Sequence, residues 1–169
     1  MPVRTLRDYV KHGLHGPDCM TKFHLDRVLP YDATQLWTLV GDVERYPDFI
    51  PWITRLHAYN VQATPEGMSR LDADVAVGFK MLSEKFSTRV TRTAADRSVD
   101  MTDLKGPFRK MVGRWVFTPV AGGTEISFDM DVEMKNPILD ALFRANFNLA
   151  VSRLMACFEN RAATTLARL

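Results

Sequence analysis

Only two cysteines, Cys19 and Cys157, occur in 169 residues. One lies in the N-terminal tail and the other inside an apolar helical pattern, so they do not form a disulfide framework, and a reducing compartment is expected. Charge of one sign is also missing. The 22 basic residues nearly cancel the 20 acidic ones, leaving a formal charge of +2, so net charge gives no reason to expect binding to DNA. No apolar run approaches the roughly 18 residues of a membrane span. There is no Ser/His/Asp order, phosphate-binding glycine loop or HExxH pattern. His12 and His15 have metal-like spacing, but His24 and His57 stand apart from them, and no metal site is expected. The start of the chain lacks the layout of a secretory signal. It is also unlike a transit peptide, having no serine before Met20 and carrying Asp8 and Asp18 among Arg4, Arg7 and Lys11. A cytoplasmic location is expected, with peripheral contact at the inner membrane left open.

What is present centres on Gln35 to Ile53, QLWTLVGDVERYPDFIPWI. Leu36, Trp37, Leu39, Val40 and Val43 recur at three- and four-residue spacing, and Asp32 or Thr34 can cap a helix that stops near Gly41 to Glu44. Pro47 suits the first turn of a second, short helical piece, which Pro51 closes. The product is a bent apolar arm, Phe49-Ile50-Pro51-Trp52. On pattern alone it is either a plug for a core or part of a site.

The rest reads as strands and one final helix. Lys22 to Leu29 alternates, Thr54 to Ala63 follows the arm, and Leu71, Ala73, Val75, Val77 and Phe79 alternate with Asp72 and Asp74, which should face solvent. Ser83 to Thr93 puts Phe86, Thr88 and Val90 on one face. Val99 begins a strand interrupted at Gly106-Pro107-Phe108, Val112 to Val120 supplies the next, and Gly122-Gly123 turns into Ile126 to Met134. Asn136-Pro137 then caps a helix of some thirty residues, with a predicted stripe through Leu139, Leu142, Phe143, Asn146, Phe147, Ala150, Leu154, Cys157 and Phe158. Consecutive hairpins with terminal helices make an α+β domain over 21–169. Residues 1–20 form an N-terminal extension: a short helix, a membrane-surface anchor, a loose tail, or sequence upstream of a start at Met20.

Four stretches carry a resemblance. DVERYPDFIPW in the arm, SEKFSTRV from Ser83, GPFRKMVGRWVF from Gly106 and CFENRA from Cys157 together resemble the bacterial and mitochondrial coenzyme-Q-binding family, a branch of the START-like and polyketide-cyclase superfamily. The resemblance runs from about Lys22 to the C-terminus and implies a bacterial member. It also implies the helix-grip fold, a curved antiparallel sheet around the C-terminal helix, with a ligand cavity between them.

The predicted cavity residues are Val40, Phe49, Trp52, Val75, Val77, Phe79, Phe86, Trp115, Phe117, Phe128, Phe143, Phe147 and Leu154. Alternation by itself does not separate a hollow interface from a filled one. The ligand implied is a polyisoprenoid quinone, ubiquinone or a precursor, carried in support of quinone synthesis and respiration. No catalytic residue and no cofactor beyond that lipid are expected, and a cyclase-type enzyme stands as an alternative. A second alternative is a ribosome-associating toxin of the same family, which needs a basic surface such as Arg89, Arg92 and Arg97. For transient membrane contact the candidate is Lys105, Phe108, Arg109 and Lys110, an apolar tip among cations.

Overall fold

The computed structural model describes residues 21–79 and 82–169, with side chains for all of these except Phe79 and Leu82. The expected short helix within 1–20 lies outside the described residues. Strand β1 (Thr21–Leu29) leads into helix α1 (Ala33–Gly41), a single 3-10 turn (Val43–Arg45) and the short helix α2 (Tyr46–Phe49). Then come β2 (Ile53–Ala63), β3 (Met68–Phe79), β4 (Leu82–Thr93), β5 (Ser98–Lys105), β6 (Phe108–Val120), β7 (Gly123–Met134) and helix α3 (Pro137–Thr165). This is the helix-grip arrangement, one curved seven-stranded antiparallel sheet in the order β1-β7-β6-β5-β4-β3-β2 with a long C-terminal helix.

Local chemistry explains the ends of the helices. Asp32 caps α1 by accepting the Gln35 N–H at 3.0 Å, and the Asn136 side chain accepts from Ile138 and Leu139 at the start of α3. Pro47 and Pro137 occupy first-turn positions, where a missing N–H leaves no bond unmade. At the C-terminus of β5 the chain turns through Gly106 at φ +138°, where a Cβ would stand 2.6 Å from that of Phe86. The expected break is thus only Gly106-Pro107. β6 starts at Phe108 rather than Val112, with its register shift between Phe108 and Lys110.

Cross-strand partners define the concave face. Leu56 lies opposite Val75 and Val75 opposite Phe86; Val99 faces Trp115, Trp115 faces Phe128, and Phe128 faces Leu25. α3 packs on β7, α1 and α2. Its buried line runs through Asp140, Phe147, Val151, Met155, Phe158 and Ala162. Leu142, Asn146 and Ala150, predicted to lie on that line, are exposed. The helix is apolar on more than one side, so spacing alone did not fix which side faces the sheet.

Asp72 is a further correction. It lies on the convex face, as alternation requires, but is buried rather than solvated. Arg89 grips both its oxygens, Nε at 2.8 Å and Nη2 at 3.2 Å, and Asn60 donates to Oδ2 at 3.0 Å. Asn60 reaches it from a left-handed backbone position (φ 52°) at the irregularity of β2. Led by Arg89, these bonds lower the Asp72 carboxyl from 3.8 to about 2. A lowered carboxylate stabilises the fold above its ordinary value and stops doing so as pH falls through the lowered one. Acid unfolding should therefore show a contribution that fades between 3.8 and about 2. Asp72→Asn should flatten the stability curve over that window, and an unchanged curve would show that the pair contributes nothing.

Candidate functional site

The predicted cavity residues fall into two groups. Val40, Trp115, Phe117, Phe128 and Phe147 are all buried in one continuous core. Trp115 stacks on Phe128 with centroids 4.0 Å apart, and Phe158 of α3 meets the Trp115 ring edge-on at 5.4 Å. Here the interface of sheet and helix is filled. Phe49, Trp52, Val77, Phe86, Phe143 and Leu154, by contrast, are half-buried, while Ala73, Val75, Thr88 and Val90 beside them on β3 and β4 are closed off. The side chain of Phe79 lies outside the described ones. The uncovered apolar surface is thus on β2, β3 and β4, opposite the first half of α3.

Two clefts open at the α1 side. One of about 310 Å³ lies between α1, α2 and the end of α3, lined by Leu39, Asp42, Arg45, Phe49 and Arg161 among others. The second, about 240 Å³, lies between the turn after α1 and β2, β3 and β4. Of the predicted cavity residues, Phe49 alone lines either of them.

Polar groups on the concave face are few and mostly engaged. The Thr88 hydroxyl donates to the Thr102 carbonyl at 2.8 Å, and Asp103 accepts the Met111 N–H at 2.7 Å. Trp115 Nε1 is different, a buried donor with no acceptor among the described residues. Sequence reading marked Trp115 only for its bulk; nothing in the alternation indicates which buried N–H lacks a partner.

The predicted membrane segment is arranged differently from an exposed tip. Phe108 turns inward and meets the Phe86 ring edge-on at 5.2 Å, beside the small cluster of Met111, Val132 and Met134. Arg109 pairs with Glu133 at 3.0 Å and Lys110 with Asp131 at 3.7 Å, while Lys105 is exposed. Nor do the three arginines proposed for a basic surface form one patch. Arg89 is held by Asp72, Arg97 donates to the Thr34 hydroxyl at 3.1 Å, and Arg92 stands on the opposite face of β4 from Arg89. No helix among the described residues is long and apolar enough to cross a membrane.

Comparison with known proteins agrees with this architecture. Residues 29–159 match the family described as polyketide cyclase / dehydrase and lipid transport. The ribosome association toxin RatA of Rickettsia prowazekii is 32% identical over 146 residues, covering 85% of this chain and 97% of that protein. The coenzyme Q-binding protein COQ10 homolog B of Xenopus laevis is 23% identical, over 84% of this chain and 58% of that one. The solution structure of the 18 kDa protein CC1736 from Caulobacter crescentus superposes with a TM-score of 0.73 at 41% identity, over 85% of this chain and 97% of that one.

If the first half of α3 leaves the sheet partly uncovered, its aromatic residues should matter unequally to folding. Phe143→Ala should cost about 1–2 kcal/mol, against about 3–5 kcal/mol for Phe158→Ala in the filled half. Chemical denaturation of both variants checks this, and equal losses would show that the whole helix face is core.

Proposed function

The chain belongs to the polyketide cyclase / dehydrase and lipid transport family, and on that premise we propose that it binds a polyisoprenoid quinone, ubiquinone or a precursor, and carries it for quinone synthesis and respiration. The observation that carries this reading is the half-covered apolar surface of Trp52, Val77, Phe86, Phe143 and Leu154. Surface of this kind is stabilised by an apolar occupant. The quinone is the only bound group in this reading, and any redox chemistry belongs to it. Thr88 and Asp103 are committed to backbone partners, which favours binding over cyclase-type chemistry.

Association with ribosomes is the second reading, favoured by the 32% identity to RatA. It needs unpaired cations on a common face, whereas Arg89 and Arg114 are each engaged by aspartates.

Mass spectrometry of an organic extract of the purified protein should show a quinone, and Phe147→Trp, which crowds the interior, should lower its amount. An extract without any isoprenoid lipid, together with cosedimentation with ribosomal subunits, would replace the first reading by the second.

Delivery of so insoluble a ligand calls for contact with a bilayer. The proposed contact is the turn from Lys105 to Lys110, acting through Lys105, Arg109 and Lys110, with Phe108 available if it swings out from Phe86. Each cation near an anionic surface contributes about 1 kcal/mol. In low salt the protein should float with anionic liposomes, and changing Lys105, Arg109 and Lys110 to Ser should abolish flotation. A triple variant that floats like wild type would move the contact elsewhere.

A further inference from the structure

Arg92 has the same parity on β4 as Phe86, Thr88 and Val90, and its cross-strand partners are Ser69 and Val99. It is therefore an arginine on the concave face, where an uncompensated charge is costly. No carboxylate forms an ion pair with it among the described residues, and its Nε is buried without an acceptor. Its position is nevertheless well defined. The guanidinium carbon lies 4.6 Å from the centroid of Trp37, whose own Nε1 donates to the Ser98 carbonyl at 2.9 Å. Gly41 supplies the room, since a Cβ there would stand 2.3 Å from Arg92 Nε and 2.9 Å from Cδ.

Arg92 lines the cleft of about 240 Å³, together with Leu71 and Val90. These two apolar residues also begin the stretch of β3 and β4 that ends at Val77 and Phe86. Six residues of strand at ~3.3 Å each make that stretch roughly 20 Å long. A stacked arginine with no ion-pair partner among the described residues thus stands at one end of an apolar strip whose ends, Leu71, Val77 and Phe86, are half-buried and whose middle, Ala73 and Val75, is buried; such a guanidinium can receive an anion. Asp42 and Glu44 on the cleft wall oppose any negative charge that is not held directly on the guanidinium, and Arg70 offsets part of that repulsion.

We propose that Arg92 binds the carboxylate head of a chain lipid whose apolar tail runs from Leu71 toward Val77 and Phe86. The proposal rests on the lipid-binding reading above and narrows it to a precursor that bears a carboxylate, which ubiquinone itself lacks, and it adds the orientation of the ligand. It places the head at the Gly41 end of the face and the tail toward the turn at Gly106.

Calorimetric titration of the delipidated full-length protein with oleate and with oleyl alcohol tests this. Wild type should bind oleate about ten-fold more tightly than the alcohol. Arg92→Gln should bring the ratio to about one. Gly41→Ala, whose new methyl displaces the guanidinium, should shrink the ratio although the charge remains. Should Arg92→Gln not fold, the wild-type ratio and Gly41→Ala decide. Equal affinities in wild type, or a preference that survives Arg92→Gln, would overturn the proposal while leaving neutral-lipid binding intact. Failure to bind either probe overturns the proposal, and the organic extract then decides the quinone reading beneath it. Acetate that displaces oleate at equal concentration would identify a free-anion site instead and overturn the lipid part.

Discussion

Phe158 is where the three layers of the fold meet. From α3 its ring contacts Trp115 of the sheet at 5.4 Å and Tyr46 and Phe49 of the arm at 5.3 and 5.5 Å, each in an edge-to-face arrangement. Such geometry sets the positive edge of one ring against the negative face of another and adds about 0.5–1.5 kcal/mol per pair beyond burial. Tyr46 is fixed in turn by donating its hydroxyl to the Val40 carbonyl, and burial raises its ionisation above the ordinary tyrosine value. The second half of α3 is thereby held to sheet and arm together.

The first half of α3 is held differently, by buried Phe147 packed on Phe23 at 5.6 Å and by polar bonds at the helix start. There the helix is tied by polar bonds at its end: Asp140, buried, accepts the Met134 N–H at 3.1 Å and binds Arg144 one turn on. Burial works to raise the Asp140 carboxyl, but those two partners outweigh it and hold it below its usual range. An end fixed by a cap and a salt bridge, with a middle of half-buried Phe143 and Leu154, covers the sheet without sealing it.

Charge is distributed to the same effect. On the convex face His24 sits between Asp129 and Asp26, which raise its pKa, and Arg114 joins Asp96 and Asp100. These exposed pairs add little stability individually, yet they neutralise a surface that would otherwise attract polyanions. The concave face carries Arg92, which has no ion-pair partner among the described residues. Family relatives bear names as different as ribosome association toxin and coenzyme Q-binding protein.

The amino-acid order alone determined the elements. Period-two alternation in Leu71 to Phe79 and Ile126 to Met134, the Asp32 and Asn136 caps, and the two prolines of the arm place strands and helices within a few residues of where they lie, because these signals depend on neighbours in the chain. The four motif stretches added the family and its helix-grip arrangement. Arg92 was expected on an outer basic surface with Arg89 and Arg97, although its parity on β4 is that of Phe86, Thr88 and Val90 and it lies inward. Three matters belonged to tertiary structure. The face of α3 that meets the sheet was ambiguous while both sides offered leucines, and packing of Phe147 and Phe158 decided it. Asp72 looked solvated until Asn60 and Arg89 closed over it from two other strands. The division of one apolar list into a filled core around Trp115 and an open face around Trp52 and Phe143 arose from where a single rigid helix touches a curved sheet. A straight rod and a curved surface meet closely over part of their length, and residue types do not record which part.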